Sequence, residues 1–98
     1  EVGERDNWEC VGCKYGKEHR TRIGIPDAHY ISRGRGGLGI VQNIVTLCPE
    51  CHDEYDHRNR EKLRAIIKEY LDNLYPGFTD EMRIYKKGVN DGTDQNDG

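Results

Sequence analysis

Two cysteine pairs, Cys10-Val-Gly-Cys13 and Cys48-Pro-Glu-Cys51, hold all four cysteines of the 98-residue chain and stand 34 residues apart. Thiolates presented as two CxxC knuckles suit a closed tetrahedral zinc site. Such a site keeps no open position for a substrate, so its metal would fold the chain rather than act on anything. Disulfides are the weaker alternative in a reducing compartment, and a redox CxxC needs only one pair, usually beside a βαβ pattern that is absent here. Chemistry must then come from other side chains. Three stand around the second knuckle and the segment before it: His29 in "IPDAHYIS", Asn43 in "IVQNIVTLC", and His52 directly after Cys51. Taken singly each has a plain reading. A strand histidine is more often structural, His52 could be a donor to the thiolates or a spare zinc ligand, and an asparagine at a strand edge is most often a turn former.

The elements that must position these residues follow from local pattern. Ile40 to Cys48 is β-branched and apolar and reads as a strand, with Ile25 to Ser32 as its hairpin partner. The connecting "RGRGGLG" permits either a tight bend or close approach of the backbone to a ligand. Pro49 is a suitable first residue for a helix carrying "ECHDEYDH". Leu63, Ile66, Ile67, Tyr70, Leu71 and Leu74 are spaced 3, 1, 3, 1 and 3 apart, the apolar stripe of an amphipathic helix that Pro76-Gly77 ends. Residues 1–7 read as a loose lead-in, with Trp8 the first core anchor. Phe78 to Lys87 has no clear pattern, and "GVNDGTDQNDG" has the composition of a disordered tail.

Apolar and charged residues each make up 34% of the chain, a thin core for one small domain and a reason to expect a metal staple. The net charge of −3 argues against a nucleic-acid partner, but its distribution does not. Between Lys14 and Gly36, six basic residues (Lys14, Lys17, Arg20, Arg22, Arg33, Arg35) face two acidic ones (Glu18, Asp27), a local excess of +4. A basic stripe of that kind can bind phosphate on an acidic protein, although a merely solvated face gives the same pattern. With no membrane-length apolar run and no visible leader, the expectation is a cytoplasmic protein without a membrane partner.

In order, the CxxC pair, "AHYISRGRGG" and "QNIVTLCPECH" resemble an HNH nuclease of the zinc-knuckle kind, built on the ββα-metal motif. The resemblance covers residues 8–57. "AHYISRG" is also similar to the hairpin of phage recombination proteins with the same CxxC frame, which implies a phage-encoded protein working in a host cell beside other DNA-processing proteins. The family implies a small α+β fold, treble-clef-like and stapled by zinc at Cys10, Cys13, Cys48 and Cys51. The nuclease core would then be 8–57, with a C-terminal helical extension at 58–87 and a tail at 88–98 lying outside the resemblance.

The implied activity is hydrolysis of DNA phosphodiester bonds with a divalent cation. His29 would be the general base, since imidazole titrates near neutral pH. His52 would ligate the catalytic ion, and Asn43 would hold the His29 loop by hydrogen bonds. Arg33 and Arg35 would clamp neighbouring phosphates. One position departs from the pattern. Many members carry Asp or His directly before the base, where this chain has Ala28. Asp27 is turned to the opposite face by strand alternation, whereas Asp56 lies one helical turn after His52 on the same face, which makes it the preferred additional ligand. An imidazole-bearing, carboxylate-poor site would take Mn²⁺ or Ni²⁺ more readily than Mg²⁺. The rival reading is a non-catalytic four-cysteine zinc module that binds DNA or protein.

Overall fold

The computed structural model describes residues 1–16 and 21–85; the tail read at 88–98, and Lys17, His19 and Arg20, lie outside them. The fold is α+β. In chain order it contains α1 (Val2–Arg5), α2 (Val11–Tyr15), β1 (Ile25–His29), β2 (Ile44–Leu47), α3 (Pro49–His57) and α4 (Arg60–Leu74), with 3-10 turns at Arg33–Arg35, Val41–Asn43 and Asp80–Arg83. No helix among the described residues is long and apolar enough to cross a membrane.

β1 and β2 form an antiparallel pair in which Ala28 faces Val45 and His29 faces Ile44. The ladder is irregular between Ile25 and Ala28, where Pro26 has no N–H to donate. Both strands are shorter than their apolar runs. Val41–Asn43 winds into a 3-10 turn instead of extending β2, because Asn43 is fully buried and uses its side chain on the loop. Along the first strand and just past it, Ala28 and Tyr30 turn into the core while Asp27 is exposed and His29 half-buried. Ala28 is therefore a packing position, where a methyl group fits against the opposing Val45.

Pro49 opens α3 at its first turn. On α4, Leu63, Ile67 and Leu71 are buried, Ile66 and Tyr70 flank them, and Leu74 leaves the core at the end of the stripe. These side chains close over Val11, Val45, Leu47 and the cysteines in one cluster.

Two segments differ from their sequence reading. Residues 1–7 are a clasp rather than a loose lead-in, and the anchor is Asp6, not Trp8. Trp8 is 48% exposed, lying over Gly3, where a Cβ would come within 2.4 Å of the ring. The buried Asp6 carboxylate accepts from Arg5 Nε at 2.7 Å, Arg5 Nη2 at 3.0 Å, the Thr46 N–H at 2.9 Å, and the Tyr70 hydroxyl. Burial disfavours its charge, yet these donors hold its pKa below the ordinary carboxylate value. Arg5 in turn donates to the Val41 and Ile44 carbonyls, each at 2.7 Å, and so fastens α1 along β2.

The unpatterned stretch after Phe78 carries the second surprise. Arg83 is fully buried, donating to the Gln42 carbonyl at 2.6 Å and to Asp80 at 2.8 Å, with the Tyr30 and Phe78 rings against its guanidinium. The Leu38 N–H donates to the Arg83 carbonyl at 2.9 Å and the Tyr85 N–H to the Gly36 carbonyl at 2.8 Å, stitching this segment to the glycine loop. That stitching accounts for two of the glycines. Gly36 has φ +87°, and a Cβ on Gly37 would sit 1.7 Å from the Ile31 carbonyl oxygen. Gly34, between the loop arginines, has open space around it.

Candidate functional site

The two cysteine knuckles are built alike. Cys10 is the N-cap of α2 and accepts the Cys13 N–H on its sulfur at 3.4 Å; Cys48 is the N-cap of α3, where no side-chain capping hydrogen bond closes. A helix start presents unpaired N–H groups, which favour a thiolate. The Cys13 sulfur lies 3.8 Å from that of Cys48 and 3.7 Å from that of Cys51, and all four sulfurs fall within 4.8 Å of one another. No disulfide joins them. An ion about 2.3 Å from each of four tetrahedral sulfurs would set them about 3.8 Å apart. The cluster can thus hold a metal ion such as zinc. Burial pushes the Cys10 and Cys51 thiols up, while Cys48 stays below its ordinary value despite burial because the nearby Cys51 backbone and the neighbouring thiols favour its charge.

The same knuckle fixes the start of α3, and thereby His52. A second tie fixes the middle of the helix: the Tyr55 hydroxyl donates to the Tyr30 carbonyl. Tyr30 directly follows His29, so the base candidate and the helix that carries His52 are held through one hydrogen bond. Asn43 completes the frame. Its Oδ1 accepts the Ile31 N–H at 2.9 Å, its Nδ2 donates to the Ile31 and Leu38 carbonyls at 3.1 and 2.9 Å, and its backbone carbonyl accepts the Tyr30 N–H at 2.7 Å. Every polar group of that side chain is spent on closing the loop after His29.

His52 Nε2 lies 3.7 Å from Asp56 Oδ2 across one helical turn, with the two side chains 41% and 50% exposed. Two ligands about 2.1 Å from one ion would stand about 3.0–3.4 Å apart, so a small rotation of either exposed side chain would fit this pair to an ion that keeps water in its other positions. His29 does not join them. Among the described residues, the four cysteines are the one group of three or more His, Cys, Asp or Glu side chains with ligand atoms that close. The Nε2 of His29 is buried and no described group hydrogen-bonds to it. A buried polar atom without a partner is costly and unusual, so this nitrogen is an unspent acceptor or donor at the end of β1. Arg33 and Arg35 lie exposed on the 3-10 turn that Gly36 caps. Asp27 is exposed, and Ala28 is buried in the core and has no ligand atom to offer.

Sequence reasoning missed Tyr30 and Tyr55, which couple hairpin to helix. Tyr30 had a signal, since it shares the inward alternation of Ala28; Tyr55 had none at its distance from the α4 stripe. No family model, curated protein or solved structure matches this chain.

Proposed function

We propose that the chain is a zinc-stapled ββα-metal domain of the HNH type that hydrolyses DNA phosphodiester bonds with a second divalent ion. The observation that carries this reading is the order and frame of the groups. An antiparallel hairpin bears His29 at the end of its first strand and Asn43 at the entry to its second, and the next helix bears His52 and Asp56 on one face. The thiol cluster, filled by zinc, holds that helix start in place.

The donor set suits a division of labour. His52 and Asp56 would hold the ion, an imidazole and a carboxylate that favour Mn²⁺ or Ni²⁺ over Mg²⁺. When bound, such an ion supplies positive charge to the scissile phosphate and to the departing 3′ oxygen. His29, outside the ligand pair, would take a proton from the attacking water on its half-buried imidazole as the new P–O bond forms and the P–O3′ bond breaks. Asn43 keeps the loop after His29 closed, so that the imidazole faces one direction throughout. Arg33 and Arg35, exposed beside an unobstructed Gly34, would pair with flanking phosphates.

Incubating the zinc-loaded protein with supercoiled plasmid, with and without added Mn²⁺, Ni²⁺ or Mg²⁺, tests the reading. Nicking or linearisation that requires the added ion is expected. DNA binding with no cleavage under any ion would favour the non-catalytic zinc module instead.

A further inference from the structure

A cavity of about 290 Å³ opens beside the proposed hydrolytic residues without including any of them. Tyr30 lines it from just past β1 and Tyr55 from α3, Ser32 and Arg35 from the glycine loop, Arg64 from α4, and Asp80 and Glu81 from the last 3-10 turn. Its charged groups are oriented in an unusual way. The Arg64 guanidinium lies over the Tyr30 ring, 5.3 Å from its centroid, and one turn earlier the Arg60 guanidinium lies over the Tyr55 ring at 5.6 Å. A ring face attracts a guanidinium, and that of Arg64 also reaches the Tyr30 hydroxyl.

Two carboxylates, Asp80 and Glu81, share the cavity with these cations, and both are already engaged. Asp80 stands 3.6 Å from Arg64, but it already accepts the Tyr30 hydroxyl at 3.0 Å and buried Arg83 at 2.8 Å. Among the described residues, neither Arg35 nor Arg60 forms an ion pair. The floor is made of aromatic rings, while the rim offers guanidinium groups and the Ser32 hydroxyl beside the Glu81 carboxylate. Such a rim fits an anion with several oxygens.

We propose that Arg60 and Arg64 of α4, with Arg35 across the cavity, bind backbone phosphates of a DNA duplex on the side of α3 away from the thiol cluster. This rests on the nuclease reading and extends it: α4 becomes part of the nucleic-acid surface as well as the cover of the core. The tyrosines give the geometry its meaning. Tyr30 follows His29 in sequence and Tyr55 lies three residues after His52 on α3, so the stacked arginines are tied to the elements that carry the proposed cutting groups.

The test is a salt titration of binding to a short mixed-sequence duplex, using the zinc-loaded chain with no other divalent ion present so that the duplex stays intact. Arg60→Gln with Arg64→Gln should shallow the slope of log affinity against log salt by about 1.8, the loss of two phosphate contacts. Lys62→Gln, on the α4 face beside the thiols, should leave the slope unchanged. Near-wild-type melting and zinc content check that the paired variant is folded. Where it is not, Arg60→Lys with Arg64→Lys keeps both charges and should keep the slope while weakening affinity, since an ammonium cannot pair with a phosphate in two-pronged fashion. Duplex binding with a wild-type slope in a folded Gln variant, or a slope lost equally in Lys62→Gln, would overturn this proposal and leave the nuclease reading standing. No duplex binding by the wild-type protein would overturn both.

Discussion

Half of the thiol cluster, Cys48 and Cys51, shares α3 with the His52–Asp56 pair, and the two sites are built in opposite ways. Three of the four cysteines are buried, their sulfurs are fixed by helix starts at both ends, and the spacing closes a tetrahedron. His52 and Asp56 are about half exposed and form a pair that leaves most of an ion's coordination sphere open. A closed site holds elements together; an open one can exchange water and bind a substrate oxygen. The same stretch "CPECHDEYD" therefore serves both ends, the fold through its first turn and the proposed chemistry through its second and third.

Removing the knot is the largest way to break that contrast. Cys48→Ser should abolish folding, because structural zinc binding supplies on the order of 10 kcal/mol or more that a core this thin cannot replace. A well-dispersed NMR spectrum of zinc-free Cys48→Ser protein would show that the cluster is not the staple.

The next effect concerns the second fastening of β2. Asp6→Asn should cost about 3 kcal/mol in urea denaturation, because Arg5 and the Thr46 N–H lose a buried anionic acceptor. The sign of its pH dependence follows from the lowered pKa of Asp6. Its contribution is complete above the ordinary carboxylate range and is lost as pH falls through the folded-state value. The gap between wild type and Asp6→Asn should therefore narrow on acidification; a gap that stays constant or widens would mean the carboxylate is not what fastens α1.

Smaller again in stability, and sharper for function, is Asp56→Ala. An exposed helical carboxylate contributes little, so stability should stay within about 0.5 kcal/mol of wild type. Over the same range, the Mn²⁺ concentration giving half-maximal cleavage should rise. An unmoved midpoint would take Asp56 out of the ion site.

Much of this was legible because it is written locally. Two CxxC spacings, a proline before a charged helix and a stripe of apolar residues each need only neighbours in sequence to be seen, and the structure places α3 at Pro49 and buries Leu63, Ile67 and Leu71. What escaped depends on partners far along the chain. Nothing near Asp6 or Arg83 announces burial, since besides a neighbour in sequence each needs a group some forty residues away, in β2 or the loop before it. Trp8 misled because apolar character alone does not decide what is buried. The glycine loop was ambiguous for a related reason: its tight bend serves the returning chain at Ile84, a contact that no pattern within the loop could signal. The histidines are intermediate. Their placement on a hairpin and a helix could be anticipated, but the unpartnered Nε2 of His29 and its separation from the ligand pair required three dimensions.

That separation bears most of the functional weight, and one comparison tests it directly. Wild-type and His29→Ala proteins, both zinc-loaded, are assayed for plasmid cleavage at saturating Mn²⁺, alongside zinc content, melting and duplex affinity. His29→Ala should keep its metal, fold and affinity while cleavage falls by about 10²-fold or more, the scale of a lost general base. Cleavage near the wild-type rate in a folded, DNA-binding His29→Ala protein would contradict the assignment of His29 as the base and, with it, the proposed mechanism.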